Sequence, residues 1–286
     1  MGKTLLQAVI SGILIGGVYS LVAIGLTLVF GVMKIINFAH GSFLMLGMYV
    51  TYWLFIFLKM DPYVSLLLSI GALFLIGFLI QKYLINFIID APEHMQILFT
   101  IGIALLIENL VLLVWRPNFR SLELSYGVAT ITVGNLNVSI TRLIAFSFSI
   151  FLTLLLYLFL KFTDLGKALR AAAFEKEGAL LVGINVRNIY IIAFAIGAAC
   201  VGAAGTLVAP FFYIYPYVGG VFVILAFIIV VMGGMGNFWG AFVCGIIIGV
   251  SESVGALFFP GSLKQIVPFA IFIIVLLFKP SGLFRG

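Results

Sequence analysis

Charge is scarce in this chain. Lys and Arg number 15 and Asp and Glu 9, so that 8% of the 286 residues are charged, against roughly 25% in soluble domains. With 64% hydrophobic residues and a mean hydropathy of +1.33, a soluble globular fold is excluded and the chain reads as a membrane protein. The formal charge of +6 does not point to nucleic acid, because most basic residues flank apolar runs, where they act as topology signals. Histidine and cysteine are as rare. His40 and His94 are far apart and Cys200 and Cys244 are remote from both, which leaves a metal site without support. Both cysteines sit inside apolar runs and are expected to be reduced packing residues.

Catalytic signatures are missing as well. There is no GxSxG, no HExxH and no carboxylate pair placed for intramembrane chemistry. "MGKT" at the start imitates the end of a phosphate-binding loop but lacks the strand and the glycine that must precede it. No catalytic residue, no cofactor and no metal are expected in this chain. A cleavable signal peptide is not expected either, since the first apolar run continues from Leu5 to about Phe30 without a cleavage site.

Long apolar runs are what the chain does contain. A bilayer core takes about 20 apolar residues as a helix, and spans are predicted at about 5–30, 38–58, 63–82, 95–115, 142–161, 188–212, 218–235, 238–259 and 264–279. The reading is an all-α polytopic bundle of about 8–10 transmembrane helices in one membrane domain, 1–286, with residues 31–40 and the last run open to being broken or re-entrant. Lys161, Lys167, Arg170, Lys176 and Arg187 put the region around 162–187 in the cytoplasm, and the tail "KPSGLFRG" on the same side. The loop 116–141 is then extracytoplasmic. Within it "TITVGNLNVSI" alternates around Gly134-Asn135, a hairpin that is either a lid over helix ends or a docking surface. Glycines about a turn apart, at 12, 16 and 17, at 197, 202 and 205, and at 245 and 249, predict closely packed helices.

Four polar residues interrupt the hydrocarbon. Asn37 and His40 lie in "VMKIINFAHGS", where they either line a path at a helix break or hydrogen-bond neighbouring helices; Lys34 beside them is expected to snorkel. Glu108 in "IALLIENLVLLV" and Glu252 in "GVSESVGALF" either line a path and meet the ammonium of an amino acid or pair with a polar neighbour. On the cytoplasmic side, "TDLGKALRAAAFEKEGALLVGINVRN" reads as an amphipathic helix capped by Asp164, with an apolar stripe of Leu165, Ala168, Leu169 and Ala172. Lys167, Arg170 and Lys176 are left to water, Gly183 breaks the helix, and Asn185–Asn188 links to the next span. Such a knob either fits a groove on another protein or lies on the membrane surface.

"GLTLVFGVMKIINFAHGSFLMLGMYV" resembles the N-terminal signature of permease subunits from branched-chain amino acid ABC importers, of the LivH type. "VVMGGMGNFWGAFVCGIIIG" and "KPSGLFRG" are similar to that family's C-terminal motifs. "EGALLVG" is similar to the coupling loop of importer permeases, with Glu177, Ala179 and Gly183 at the family's spacing and Gly178 in place of its second alanine. The resemblance implies a translocation subunit in the cell membrane. It would work with a second, paralogous permease, two ATP-binding cassette subunits that hold ATP and Mg, and an extracytoplasmic substrate-binding protein. The implied cargo is branched-chain or other hydrophobic amino acids, with urea or an amide as the alternative within the same architecture. A stand-alone secondary transporter or channel is the alternative of another class.

Overall fold

A computed structural model describes residues 2–134 and 136–284. Its helices are α1 (Gly2–Met33), α2 (His40–Leu58), α3 (Leu66–Tyr83), α4 (Glu93–Trp115), α5 (Ile140–Phe162), α6 (Asp164–Phe174), α7 (Lys176–Leu181), α8 (Val186–Val208), α9 (Val218–Gly233), α10 (Phe238–Phe258) and α11 (Ile266–Phe278). Among the described residues, α1, α2, α3 with its 3-10 extension, α4, α5, α8 and α10 are long and apolar enough to cross a membrane, while α9 and Leu263–Phe278 are shorter apolar helices. All nine predicted spans are therefore helical, and the chain is a multi-pass membrane protein. The sixth span stops at Val208 rather than 212, because residues 209–217 leave the helix and Ile214 exchanges two backbone hydrogen bonds with Arg120.

Strands β1 (Thr130–Val133) and β2 (Leu136–Ser139) pair antiparallel, Val133 opposite Leu136, which realises the predicted hairpin; Asn135 of its turn lies outside the described residues, as does Arg285 of the tail. The hairpin rests on the beginning of α1, where the Gln7 side chain donates to the Asn137 carbonyl at 2.5 Å and accepts from its N–H at 3.0 Å. Tyr126 ties the same loop to the α2–α3 turn by donating to Asp61, whose other oxygen accepts from the Tyr63 N–H. Burial and the Asp61 charge push the Tyr126 phenol well above its ordinary range. At the opposite end lie α6, α7, the α3–α4 connection and the tail, where the Leu283 N–H donates to Met232 at 2.8 Å.

Helix α1 is the central element and packs against α5, α8, α9 and α10. In a bilayer, helices associate through close packing rather than escape from water, so small residues control how near two backbones come. Gly12 and Gly16 of α1 face Gly245 and Gly249 of α10, and a methyl group on Gly249 would sit 2.5 Å from the Gly12 carbonyl oxygen. The outer helices bury one narrow stripe each. On α5 the stripe is Thr141, Ala145, Ser149, Thr153 and Leu156, four or three residues apart, while Phe151, Leu154, Leu155 and Leu158 are exposed.

The 162–187 region departs from the expected single helix. Thr163, not Asp164, is the N-cap: its backbone is extended and its hydroxyl accepts from the Gly166 N–H at 3.0 Å, the geometry a cap requires. Asp164 occupies the first turn and pairs with Lys167 at 2.9 Å, which lowers the Asp164 carboxyl below its usual range and takes Lys167 out of the set of free cations. The helix also breaks earlier, at an extended Glu175 that starts α7 by accepting from the Ala179 N–H. Gly183 does end the segment. At φ +83° its N–H bonds to Leu180 and that of Ile184 to Ala179, a Schellman turn that favours glycine. Asn185 then caps α8 through the Asn188 N–H.

Gly249→Val is expected to lower stability by roughly 1–3 kcal/mol through forced separation of α1 and α10. Gly102→Ala, inside α4 where a methyl group meets open space, should not lower the melting temperature of the detergent-purified chain and is expected to raise it slightly.

Candidate functional site

The polar interruption at 34–40 is a true break in the helical backbone. Helix α1 ends at Met33, Lys34 adopts a left-handed conformation (φ 59°), and α2 starts at His40. Lys34 is exposed, 6.0 Å from the Phe30 ring, as a snorkelling lysine would be. His40 Nε2 lies 2.9 Å from the carbonyl oxygen of Val22, 11 residues (33 − 22) before the end of α1, or ~16 Å along its axis. The return segment therefore runs back into the bundle. Non-helical backbone at this depth needs internal partners. Thr100 of α4 provides two, accepting from the Phe38 N–H at 3.3 Å and donating to the Ile36 carbonyl at 3.1 Å. Asn37 provides a third by accepting from the Ala39 N–H at 3.0 Å.

Asn37 and His40 thus differ in what they touch. His40 joins two helices, while the Asn37 side-chain bond is local. Both are buried. Nε2 of His40 is the donor here because a carbonyl can only accept, and Nδ1 has no hydrogen-bond partner among the described residues.

The two intramembrane acids sit in unlike surroundings. Glu108 of α4 is half-buried, accepts from Ser42 of α2 at 3.4 Å, and stands next to exposed Asn109. Glu252 of α10 is buried, accepts from the Tyr19 hydroxyl of α1 at 2.7 Å and pairs with Lys264 at 2.8 Å. Glu252, Lys264 and Arg142 line a cavity of about 380 Å³ at the hairpin end. The structure does not bring Asn37, His40, Glu108 and Glu252 into one cluster. Sequence reasoning missed Thr100, Tyr19, Ser42 and Lys264, their partners, because a hydroxyl or a loop lysine carries no local mark of a carboxylate or broken backbone far away in sequence.

Glu177, Gly178 and Ala179 lie on α7 and Gly183 closes it. Ala179 is buried while Glu177 is exposed. A methyl group on Gly178 would meet only the flexible Glu175 side chain, at 3.3 Å. Around them Phe174, Leu181 and Val182 are 92%, 89% and 75% exposed, an apolar crest outside the predicted membrane spans. Lys176 reaches back to Asp90 of the α3–α4 connection at 3.1 Å, and that carboxylate raises the ammonium above its ordinary range. On the alkaline side the pair is lost as pH rises through this raised value, so the ammonium keeps its partner at neutral pH.

Residues 8–276 match the family described as branched-chain amino acid transport system / permease component. The chain belongs to this family. It is 32% identical over 291 residues to the high-affinity branched-chain amino acid transport system permease protein LivH of Salmonella typhimurium, covering 97% of this chain and 94% of that one. BraD of Pseudomonas aeruginosa, a permease protein of the same description, is 30% identical over 97% of this chain and 95% of its own. A probable branched-chain amino acid transport permease protein LivH of Methanocaldococcus jannaschii is 31% identical over 92% and 87%. No solved structure matches the chain.

Removing one member of a buried ion pair costs most when a charge is left behind. Lys264→Met strands the Glu252 carboxylate and is expected to lower stability by roughly 1–3 kcal/mol, whereas Glu252→Gln, which still accepts from Tyr19, should cost less than about 1 kcal/mol. Thermal unfolding of the two variants side by side measures the order; a larger loss for Glu252→Gln contradicts it.

Proposed function

We propose that this chain is the membrane-spanning translocation subunit of an ATP-driven importer for branched-chain or other hydrophobic amino acids. The family match over residues 8–276 carries the reading. In it the chain is non-catalytic and pairs with a second, paralogous permease. Two ATP-binding cassette subunits bind ATP and Mg and perform hydrolysis, and an extracytoplasmic binding protein delivers the solute. The chain sits in the cell membrane with α6, α7 and the C-terminus in the cytoplasm, in keeping with the lysines and arginines of that end.

In this reading the coupling step uses the apolar crest at the end of α6 and the end of α7. Solvent-exposed Phe174, Leu181 and Val182 offer apolar side chains to a groove on an ATPase subunit, as in helix-in-groove recognition. The Schellman turn at Gly183 and the Asn185 cap join α7 to α8 with no slack, and Lys176–Asp90 joins it to the α3–α4 connection. Displacement of α7 by closing ATPases is thereby passed to α8, which packs on α1, α2 and α3, and access would alternate by rocking of these helices. Asn37 and His40 fix the break about which α1 and α2 join. Glu108 with Asn109 forms the polar patch on α4 that best suits the solute path, because polar groups left facing lipid are costly.

Leu181→Glu combined with Val182→Glu is expected to leave the stability within about 0.5 kcal/mol of the parent, as surface changes do. The same variant should abolish recovery of the ATPase subunits in affinity co-purification from native membranes. The parent chain should bring down a second permease and the ATPases. Isolation of a lone chain that transports in liposomes without ATP would overturn the reading. Glu108→Gln should lower uptake while ATPase recovery is unchanged; full uptake removes Glu108 from the path.

A further inference from the structure

A cavity of about 330 Å³ opens between α1, α5, α6 and the beginning of α10, at the end of the bundle that carries α6 and α7. Most of its wall is apolar, and Lys161 and Arg170 line it without any accompanying carboxylate. Neither cation has an ion-pair partner among the described residues, although their neighbour Lys167 does. They are nevertheless held in place. Arg170 donates to the Lys161 carbonyl at 3.3 Å, and the Lys161 ammonium stands 5.6 Å from the Tyr157 ring and 5.3 Å from that of Phe162. Tyr157 and half-exposed Trp239, with ring centroids 5.1 Å apart, also line the cavity, and such amphipathic rings favour the membrane–water boundary. Thr27 of α1, buried, also lines the cavity, and its hydroxyl has no hydrogen-bond partner among the described residues.

Two positioned cations, boundary aromatics, an apolar wall and an unsatisfied buried hydroxyl match one ligand chemistry. We propose that this cavity binds an anionic phospholipid of the surrounding leaflet. Its phosphate is held by Lys161 and Arg170, the glycerol region lies by Tyr157 and Trp239, and an ester oxygen accepts from Thr27. A basic pocket between membrane helices at the bilayer surface is suited to such headgroups. A free phosphate would meet the same two cations but leave the apolar wall and Thr27 unused. The site spans α6, α5, α1 and α10, so an occupied cavity fastens the α6–α7 segment to the bundle, and the lipid becomes a determinant of how firmly that segment transmits movement. The proposal does not depend on which solute is carried.

Native mass spectrometry of the delipidated full chain, offered phosphatidylglycerol or phosphatidylcholine, tests it. Phosphatidylglycerol is expected to bind more tightly by on the order of tenfold, from two basic contacts near the membrane surface. The preference should vanish in Lys161→Gln/Arg170→Gln and persist in Lys161→Arg and in Lys167→Gln, while Thr27→Val should weaken binding of both lipids and leave the preference between them in place. Melting temperatures in phosphatidylcholine show that each variant is folded; should the double variant fail to fold, Arg170→Gln alone, which must at least halve the preference, replaces it. Equal binding of the two lipids, a preference indifferent to Lys161 and Arg170, or equal stabilisation by millimolar inorganic phosphate would each overturn the proposal.

Discussion

The close approach of α1 and α10 at Gly12, Gly16, Gly245 and Gly249 is the constraint on which the rest of the structure depends. In lipid there is no release of water to drive two apolar helices together, and dispersion between atoms in contact has to suffice. Removing side chains from the seam lets backbones touch and multiplies those contacts. Once α1 is seated there, Tyr19 is brought to Glu252 and Ser20 donates to the Phe242 carbonyl at 2.7 Å. The same logic recurs where α2 meets its neighbours, Gly41 against Gly219 and Gly47 against Gly202, so the returning segment after the break is gripped close to α8 and α9.

That grip explains how a broken backbone survives at membrane depth. Lys34 to Ala39 would carry unpaired N–H and C=O groups into hydrocarbon, at several kcal/mol each. Thr100, Asn37 and the buried setting of α2 remove most of that cost, and His40 adds a bond across to α1. The break is then a fixed bend joining two gripped helices, which suits a bundle whose parts tilt as units. The outer helices contribute differently. On α5 the inward stripe is mostly small or hydroxylated and the outward face is Leu and Phe, an inversion of the soluble pattern that follows from having lipid as the solvent.

The α6–α7 segment belongs to another physical regime. It is amphipathic, capped by Thr163 and stopped by a glycine at positive φ, as helices in water are, and its exposed apolar crest is the unpartnered feature of that regime. Rigid ends matter more than the length of this segment: the cap on Thr163 follows α5 with no intervening linker, and the Asn185 cap opens α8. Movement imposed on the crest has few places to be absorbed.

The sequence by itself determined the membrane class, the nine apolar helices, the interruption at 34–40, the hairpin and the glycine stop at 183, together with the family. These are legible because hydropathy, turn chemistry and the need for positive φ act over a few neighbouring residues. Which face of α4 is buried was not legible, since its buried Ile103, Ile107 and Val111 and its exposed Leu106, Leu110 and Leu113 are all aliphatic. Nor were the break at Glu175, the shift of the cap from Asp164 to Thr163, or the partners Thr100, Tyr19, Ser42 and Lys264. A hydrogen bond or an ion pair between residues far apart in the chain exists only when packing has set two helices at one distance and rotation, and that was decided by the glycine seams of the tertiary structure.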